Sequence, residues 1–317
     1  MRTNIANIKK IIQKIDPKTL GLKKIKIESF KKLGMGYSNL NYLARISGKK
    51  FNCRINLDKG SASNLKNEFN NLKIIEKLNI SAKPYYLSKK FMMIEFIIGK
   101  IFPRNNKNYP AKDVKNLAKT LSKLHNSGLK SKHVDKGRWI KHFVKRIKYI
   151  NSNTNNVYKE LLKELLNIFK PKIESVLKKH PYCCIHGDLT PQNVINTGKY
   201  VKLIDLEDLE YSDAARDLAQ LIAQFDFGEE SMKIFMKEYK TLDKDLLIRT
   251  KTYAEIHIFS DFLWELTRIF RLKNKDVHEE FAKKYTMQSH INEAKRKFNR
   301  LKKLKIVPKS ASFPFKI

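Results

Sequence analysis

The chain has 317 residues, enough to bury a sizeable core as one large domain or two lobes. It carries 66 Lys+Arg against 31 Asp+Glu, a formal net charge of +35, and only three cysteines, two of them adjacent. This excludes a disulfide-stapled scaffold, and no apolar run reaches the roughly eighteen residues of a membrane span.

The N-terminal stretch MRTNIANIKKIIQKIDP lacks the unbroken apolar core and small-residue cleavage site of a secretory signal. With cysteines that form no framework, this points to a reducing cytoplasm. Ile5, Ile8, Ile12 and Ile15 recur at helical spacing and Asp16-Pro17 ends the pattern, so an amphipathic helix packed on the body is expected. Leu40, Tyr42, Ala44 and Ile46 then alternate along one strand. After a Ser47-Gly48 turn, Phe51, Cys53, Ile55 and Leu57 alternate along the next, which leaves Arg54 on the opposite face. LGMGYSNLNY, Leu33 to Tyr42, joins the first of these to a preceding strand through two glycines, a form that lets backbone N–H groups approach phosphate oxygens. A helix follows with Leu65, Phe69, Leu72, Ile75 and Leu78 at steps of three and four. Two more strands are expected at Tyr85 to Ser88 and Phe91 to Ile97.

Gly99, Pro103 and the polar run to Pro110 break the pattern and set a boundary, with an N-terminal lobe over 1–98 and a C-terminal lobe over 99–317. Beyond it the chain is mainly helical. Asp113 is expected to cap a helix bearing Val114, Leu117, Ala118, Leu121 and Leu124 that closes near Gly128, and a second helix carries Trp139, Phe143, Val144 and Ile147. Asn151 to Asn156 reads as a loop, and the helix after it is expected to be interrupted at Pro171. Short strands at Tyr182 to Ile185 and Tyr200 to Ile204 precede a helical half that begins at Leu218 and runs to about residue 305. Strands first, then helices with a short hairpin among them, give an α+β architecture of two lobes: a small antiparallel sheet and a larger helical body. The densest basic cluster, Lys295 to Lys305, holds seven of the basic residues, and lysine otherwise runs through nearly every segment together with Ile and Asn. All three have A/T-rich codons, so compositional drift accounts for the charge better than a nucleic-acid groove. The expected electrostatic effect is attraction of anionic small molecules such as ATP.

The segment richest in chemistry is HGDLTPQN, His186 to Asn193, followed by LIDLE, Leu203 to Glu207. Each of Asp188, Asn193 and Asp205 taken alone reads as a turn or cap residue. Their order and spacing between strands match phosphoryl transfer: one carboxylate takes the proton of an attacking hydroxyl, while an amide and a second carboxylate hold Mg²⁺ against nucleotide phosphates.

These residues resemble the HGD-x-x-x-x-N…IDxE core of the choline/ethanolamine kinase and aminoglycoside phosphotransferase superfamily, which has the protein-kinase-like fold. The resemblance implies that Asp188 is the catalytic base, Asn193 and Asp205 are Mg²⁺ ligands, and His186 is scaffold. It implies a phosphate-covering loop at Gly34, Gly36, Ser38 and Asn39, a phosphate contact from Arg54 oriented by Glu68, and an adenine-reading hinge at Glu95, Phe96 and Ile97. DAARDLA, Asp213 to Ala219, is similar to the family's DPxxDLA stretch, with Ala214 in place of Pro.

On the acceptor side, HIFSDFLWELTRIF places Phe259, Phe262, Leu263, Leu266, Ile269 and Phe270 on one helical face and Trp264 opposite, among His257, Asp261, Glu265 and Arg268. An aromatic beside carboxylates suits an ammonium group, and a helix buried on both sides is the alternative. Trp264 matches the first tryptophan of the family's FxWxLW helix, while Thr267 stands where the second would be. After Glu207 this chain has Asp208, then Glu210 and Tyr211, where many choline kinases have Tyr. Glu207, Asp208, Tyr211, Asp261 and Trp264 therefore form the expected acceptor set, favouring a primary amine over a trimethylammonium. The resemblance implies an ATP- and Mg²⁺-dependent small-molecule kinase acting on an amino alcohol such as choline or ethanolamine. The alternatives are an aminoglycoside, thiamine, sugar or hydroxy amino acid as acceptor or, from another class, a non-catalytic ATP- or RNA-binding module.

Overall fold

The computed structural model describes residues 5–35, 39–56, 62–89, 91–103, 109–130, 138–154, 156–177, 180–241, 243–277, 286–308 and 313. The chain divides into two compact units: Met1–His133, Cys183–Tyr211 and Gly228–Lys240 form the first, and Val134–Tyr182, Ser212–Phe227 and Thr241–Ile317 the second.

The first unit is built on an antiparallel sheet. Its strands β1 (Ile27–Met35), β2 (Asn39–Ile46), β3 (Lys49–Asn56), β4 (Pro84–Leu87) and β5 (Phe91–Glu95) stand in the order β1-β2-β3-β5-β4. The alternation read from the sequence is the one observed as far as Asn56, and Leu57 falls outside the described residues. Tyr42, Ala44, Ile46, Phe51, Cys53 and Ile55 are buried on one face, where Ile8 and Ile12 of α1 (Ile5–Gln13) join them in a core with Ile15 and Leu20. Asp16 accepts the Lys18 N–H at 3.0 Å and starts a 3₁₀ turn, so Ile15 packs from outside the helix. Burial pushes the Cys53 thiol up to about 12, as expected for an inert core cysteine. The register sets Arg54 against Asn41 and Met92, on the face away from that core.

Helix α2 (Ala62–Ile75) buries Leu65, Phe69, Leu72 and Ile75, and on the same stripe Glu68 and Asn71. A second sheet joins β6 (Lys100–Ile101), β8 (Val194–Asn196) and β9 (Val201–Leu203). The two short strands expected around the catalytic motif are β7 (Tyr182–Ile185) and β9, and the hairpin itself is β8–β9. The expected boundary at residue 99 is continuous in sequence, whereas the compact units are not, since β6 just beyond it is paired with β8. Helices α3 (Ala111–His125) and α7 (Glu229–Tyr239) complete the unit, with His125 Nδ1 2.7 Å from the Tyr239 hydroxyl. Asp113 lies in the first turn of α3 and Pro110 takes the cap position, because the Asp113 N–H is already bonded to Pro110 O.

The second unit is helical: α4 (Arg138–Ser152), α5 (Asn156–Val176), α6 (Ala215–Ala223), α8 (Leu246–Lys273) and α9 (Met287–Lys303). Strand β10 (Glu210–Asp213), unmarked in the sequence pattern, leads into it. The loop between α4 and α5 is shorter than Asn151 to Asn156, and α5 runs through Pro171. Leu162, Leu165, Phe169 and Val176 are buried on both sides of the proline, and Phe169 stacks on Phe259 at 4.4 Å, so packing offsets the missing N–H. No helix among the described residues is long and apolar enough to cross a membrane.

Candidate active site

His186 is fully buried where β7 ends. One ring nitrogen, Nε2, is 2.9 Å from Ile204 O, which can only accept, and the other, Nδ1, faces the Asp188 N–H at 3.3 Å, which can only donate. The ring is therefore the neutral Nε2–H tautomer, a strut between the loop and the end of β9. Next to it Gly187 has φ +84°, and a Cβ there would lie 2.3 Å from Asp208 O. Both the backbone sign and the close approach demand glycine.

Asn193 stands five positions after Asp188, and a 3₁₀ turn at Pro191–Asn193 brings them together. Asn193 Nδ2 donates to Asp188 O at 2.9 Å and to Asp188 Oδ2 at 3.1 Å. The amide thereby orients the carboxylate, and its carbonyl oxygen is the atom with which Asn193 could hold a cation. Ile204 N–H donates to Asn193 O at 2.9 Å, tying the loop to the strand that delivers Asp205.

Asp205 sits in the left-handed region, φ 62° and ψ 58°. A non-glycine residue held there is characteristic of a site that needs its side chain aimed away from the strand path. Arg54 links two elements to it: Nη2 donates to Asp205 Oδ1 at 2.6 Å and Nη1 to Glu68 Oε1 at 2.7 Å. Glu68 is 1 % exposed; burial pushes its carboxyl up, and the Arg54 guanidinium opposes that shift. Asn71, one turn after Glu68, donates to Leu206 O at 2.7 Å, so α2 grips both Arg54 and the turn that follows Asp205.

Glu207 is pushed up to about 7, first by burial and then by the charges of Asp205 and Asp208. Its Oε2 is buried without a hydrogen-bond partner among the described residues. Asp188, Asp205, Glu207 and Asp208 thus form a concentration of carboxylate opposed by one guanidinium. No group of three or more His, Cys, Asp or Glu among the described residues could cage a metal ion by itself. The donor set of one carboxylate, Asp205, and one amide carbonyl, Asn193, fits Mg²⁺ carried partly on phosphate oxygens, since Mg²⁺ characteristically takes one or two carboxylates plus substrate phosphates.

The structure thus brings Asp188, Asn193, Asp205, Arg54, Glu68, Glu207 and Asp208 together in the first unit. Gly34 and Asn39 lie on β1 and β2 by their backbones, and Gly36 and Ser38 fall outside the described residues. Glu95 ends β5 with its N–H on Lys83 O at 2.8 Å, and Phe96 and Ile97 follow, half-buried. Tyr211 is half-buried on β10.

Asp261 and Trp264 belong to the second unit, where each meets cationic groups of the chain itself. Asp261 Oδ2 is 3.0 Å from Lys297 Nζ and also accepts from Gln224 Nε2. The Arg268 guanidinium lies 4.9 Å from the Trp264 ring centroid, and the His290 ring meets Trp264 edge-on at 5.7 Å. Asn71, Gln224, His290 and Lys297 had no place in the expected site. The usable signal for three of them is a polar residue on an otherwise apolar helical stripe.

The model of the phosphotransferase enzyme family matches residues 29–247. The chain is 22 % identical over 209 residues to a protein LicA homolog from Mycoplasma capricolum, covering 64 % of this chain and 79 % of that protein. A choline/ethanolamine kinase family protein from Mesorhizobium loti superposes with a TM-score of 0.67 at 17 % identity, over 96 % of each chain. The aminoglycoside phosphotransferase APH(2")-IIa, in its ternary complex with streptomycin and ATP, superposes with a TM-score of 0.61 at 20 % identity, over 85 % of this chain and 93 % of that one. The fold is the α+β, two-lobed protein-kinase-like fold.

Proposed function

The chain belongs to the phosphotransferase enzyme family and is a phosphotransferase with an alcohol group as acceptor, and we propose that it moves the γ-phosphoryl group of ATP onto the hydroxyl of a small amino alcohol such as ethanolamine or choline. The observation that carries this is the Asp188–Asn193 clamp joined through Asp205 to the Arg54–Glu68 pair.

Asp188 is the base: its Oδ2, steadied by the Asn193 amide, takes the proton of the attacking hydroxyl. Asn193 and Asp205 would hold Mg²⁺, which when bound offsets charge on the phosphates. Arg54 offers its planar fork to phosphate oxygens, and Glu68 keeps that fork in register. Gly34, Gly36, Ser38 and Asn39 cover the phosphates, and Glu95, Phe96 and Ile97 read adenine. An ATP-bound neighbour of the same fold supports the nucleotide part of the reading. The acceptor's cation falls to Glu207, Asp208 and Tyr211, where carboxylate outweighs aromatic surface and so favours a primary ammonium. The two lobes of this reading are residues 1–98 and 99–317, and cysteines free of disulfides suit a cytoplasmic setting. The streptomycin-bound neighbour supports, as a second reading, an aminoglycoside as acceptor.

The test is ADP release from Mg-ATP against a panel of amino alcohols, aminoglycosides, thiamine, sugars and hydroxy amino acids. Turnover is expected with ethanolamine above choline. Asp188→Ala should lower kcat by at least about 100-fold while nucleotide affinity, read by calorimetry, is kept. Near-normal turnover by that variant refutes the role of Asp188.

A further inference from the structure

The face of α8 opposite its apolar stripe carries Asp261, Trp264, Glu265 and Arg268, a combination suited to holding an ammonium group. In the structure that face is covered by α9, whose own buried stripe is His290, Ile291, Ala294, Lys297, Phe298 and Leu301. Two members of this stripe are basic, and each sits on an α8 carboxylate. Lys297 Nζ is 3.0 Å from Asp261 Oδ2, with its side chain 4 % exposed. His290 Nδ1 is 2.7 Å from Glu265 Oε2, and both side chains are nearly inaccessible. Arg300, one turn beyond Lys297, donates to the Ile222 and Ala223 carbonyls at the end of α6 and pairs with Asp226 at 3.2 Å. The helix is thereby fastened to both α6 and α8.

Lys297 is buried on purely local terms: a primary ammonium on a flexible stem, received by a carboxylate that also takes the Gln224 amide. That is the chemistry by which a protein holds a small primary amine. We propose that Lys297 is a specificity-determining residue: from within the chain it occupies the carboxylate that α8 would otherwise offer to a cationic acceptor. Asp261 then contributes nothing to acceptor affinity, and discrimination among amino alcohols passes to Glu207 and Asp208. This last consequence rests on the function proposed above, whereas the occupancy of the ammonium site does not.

Two measurements separate these. Lys297→Ala removes three methylenes and an ammonium, the atoms of n-propylammonium. The variant should lose about 5 °C or more in Tm, and n-propylammonium chloride should restore Tm saturably. Propan-1-ol and tetramethylammonium chloride at equal ionic strength should not, and the wild type should not respond. No selective gain in the variant, or an equal gain in the wild type, overturns the proposal. Should Lys297→Ala not fold, reductive methylation of the wild type followed by mass spectrometry gives the same answer. Lys297 is expected to react at least tenfold more slowly than the exposed Lys295, and equal rates overturn it. Independently, Asp261→Asn should leave the KM for ethanolamine within about twofold; a tenfold rise returns Asp261 to the acceptor site. Absence of turnover with every amino alcohol refutes the function and leaves the ammonium result intact.

Discussion

Glu207 offers a test that needs neither nucleotide nor acceptor. Burial, with the charges of Asp205 and Asp208 added, pushes its folded-state pKa from the ordinary 4.5 to about 7. The folded protein therefore holds a proton that the unfolded chain releases between those values. This contribution to stability is fully present below pH 4.5 and is lost as pH rises through 7. Gln mimics the protonated carboxyl, so Glu207→Gln should match the wild type near pH 5 and exceed it at pH 8.5. A shift of that size corresponds to about 3.5 kcal/mol at most, from about 1.4 kcal/mol per pKa unit. Because the side chain is only half-buried, water screens part of this, and about 1–2 kcal/mol is the expected gain. In a chain of this size that is about 1.5–3 °C in Tm. Thermal melts of both proteins from pH 5 to pH 8.5, in EDTA, read it directly. A gap between the two that is the same at every pH, or a variant less stable than the wild type at pH 8.5, refutes the crowding of carboxylates inferred at the site.

Two further substitutions probe the frame, one in each compact unit. Gly187→Ala imposes a positive φ that costs about 1–2 kcal/mol and sets a Cβ 2.3 Å from Asp208 O. It should lower both Tm and kcat, and a variant unchanged in melting and turnover contradicts the close approach. Arg249 binds Asp213 through Nε at 2.7 Å and Nη2 at 3.1 Å, and Asp243 through Nη2 at 2.6 Å, while Asp213 Oδ1 also accepts the Ala215 N–H at the start of α6. Arg249→Met leaves the buried Asp213 without its cation and should cost about 3–5 kcal/mol in urea unfolding. A loss below about 1 kcal/mol would show that the fork does not anchor α6.

Much of this was legible because local rules and tertiary structure agree. The period-2 strands around Arg54 and the stepwise apolar positions of α2 appear where the pattern puts them, and Asp188 and Asn193, singled out by their spacing, are hydrogen-bonded to each other. What escaped is what depends on a partner remote in sequence. Two residues at Lys100–Ile101 carry no strand pattern and become β6 only because β8, ninety-odd residues later, pairs with them. Pro171 ends a helix in isolation but not in one packed on both sides. Gly187 reads as an ordinary loop glycine until Asp208 is seen against it.

The charged residues divide along the same line, and one rule would have found more of them. A polar side chain on an apolar helical stripe must be buried with a partner, since burial alone would cost more than the stripe returns. Glu68, between Leu65 and Leu72, obeys it and finds Arg54. Lys297, between Ala294 and Leu301, obeys it and finds Asp261, thirty-six residues earlier. In the sequence Lys297 is lost in a basic run, because a count of charges does not separate the lysine facing inward from neighbours such as Lys295 that face water. The period of the helix does separate them. The same +35 that argues so little about a partner therefore conceals individual cations whose positions are specified, and the stripe, not the total, identifies which carboxylates of α8 are already taken.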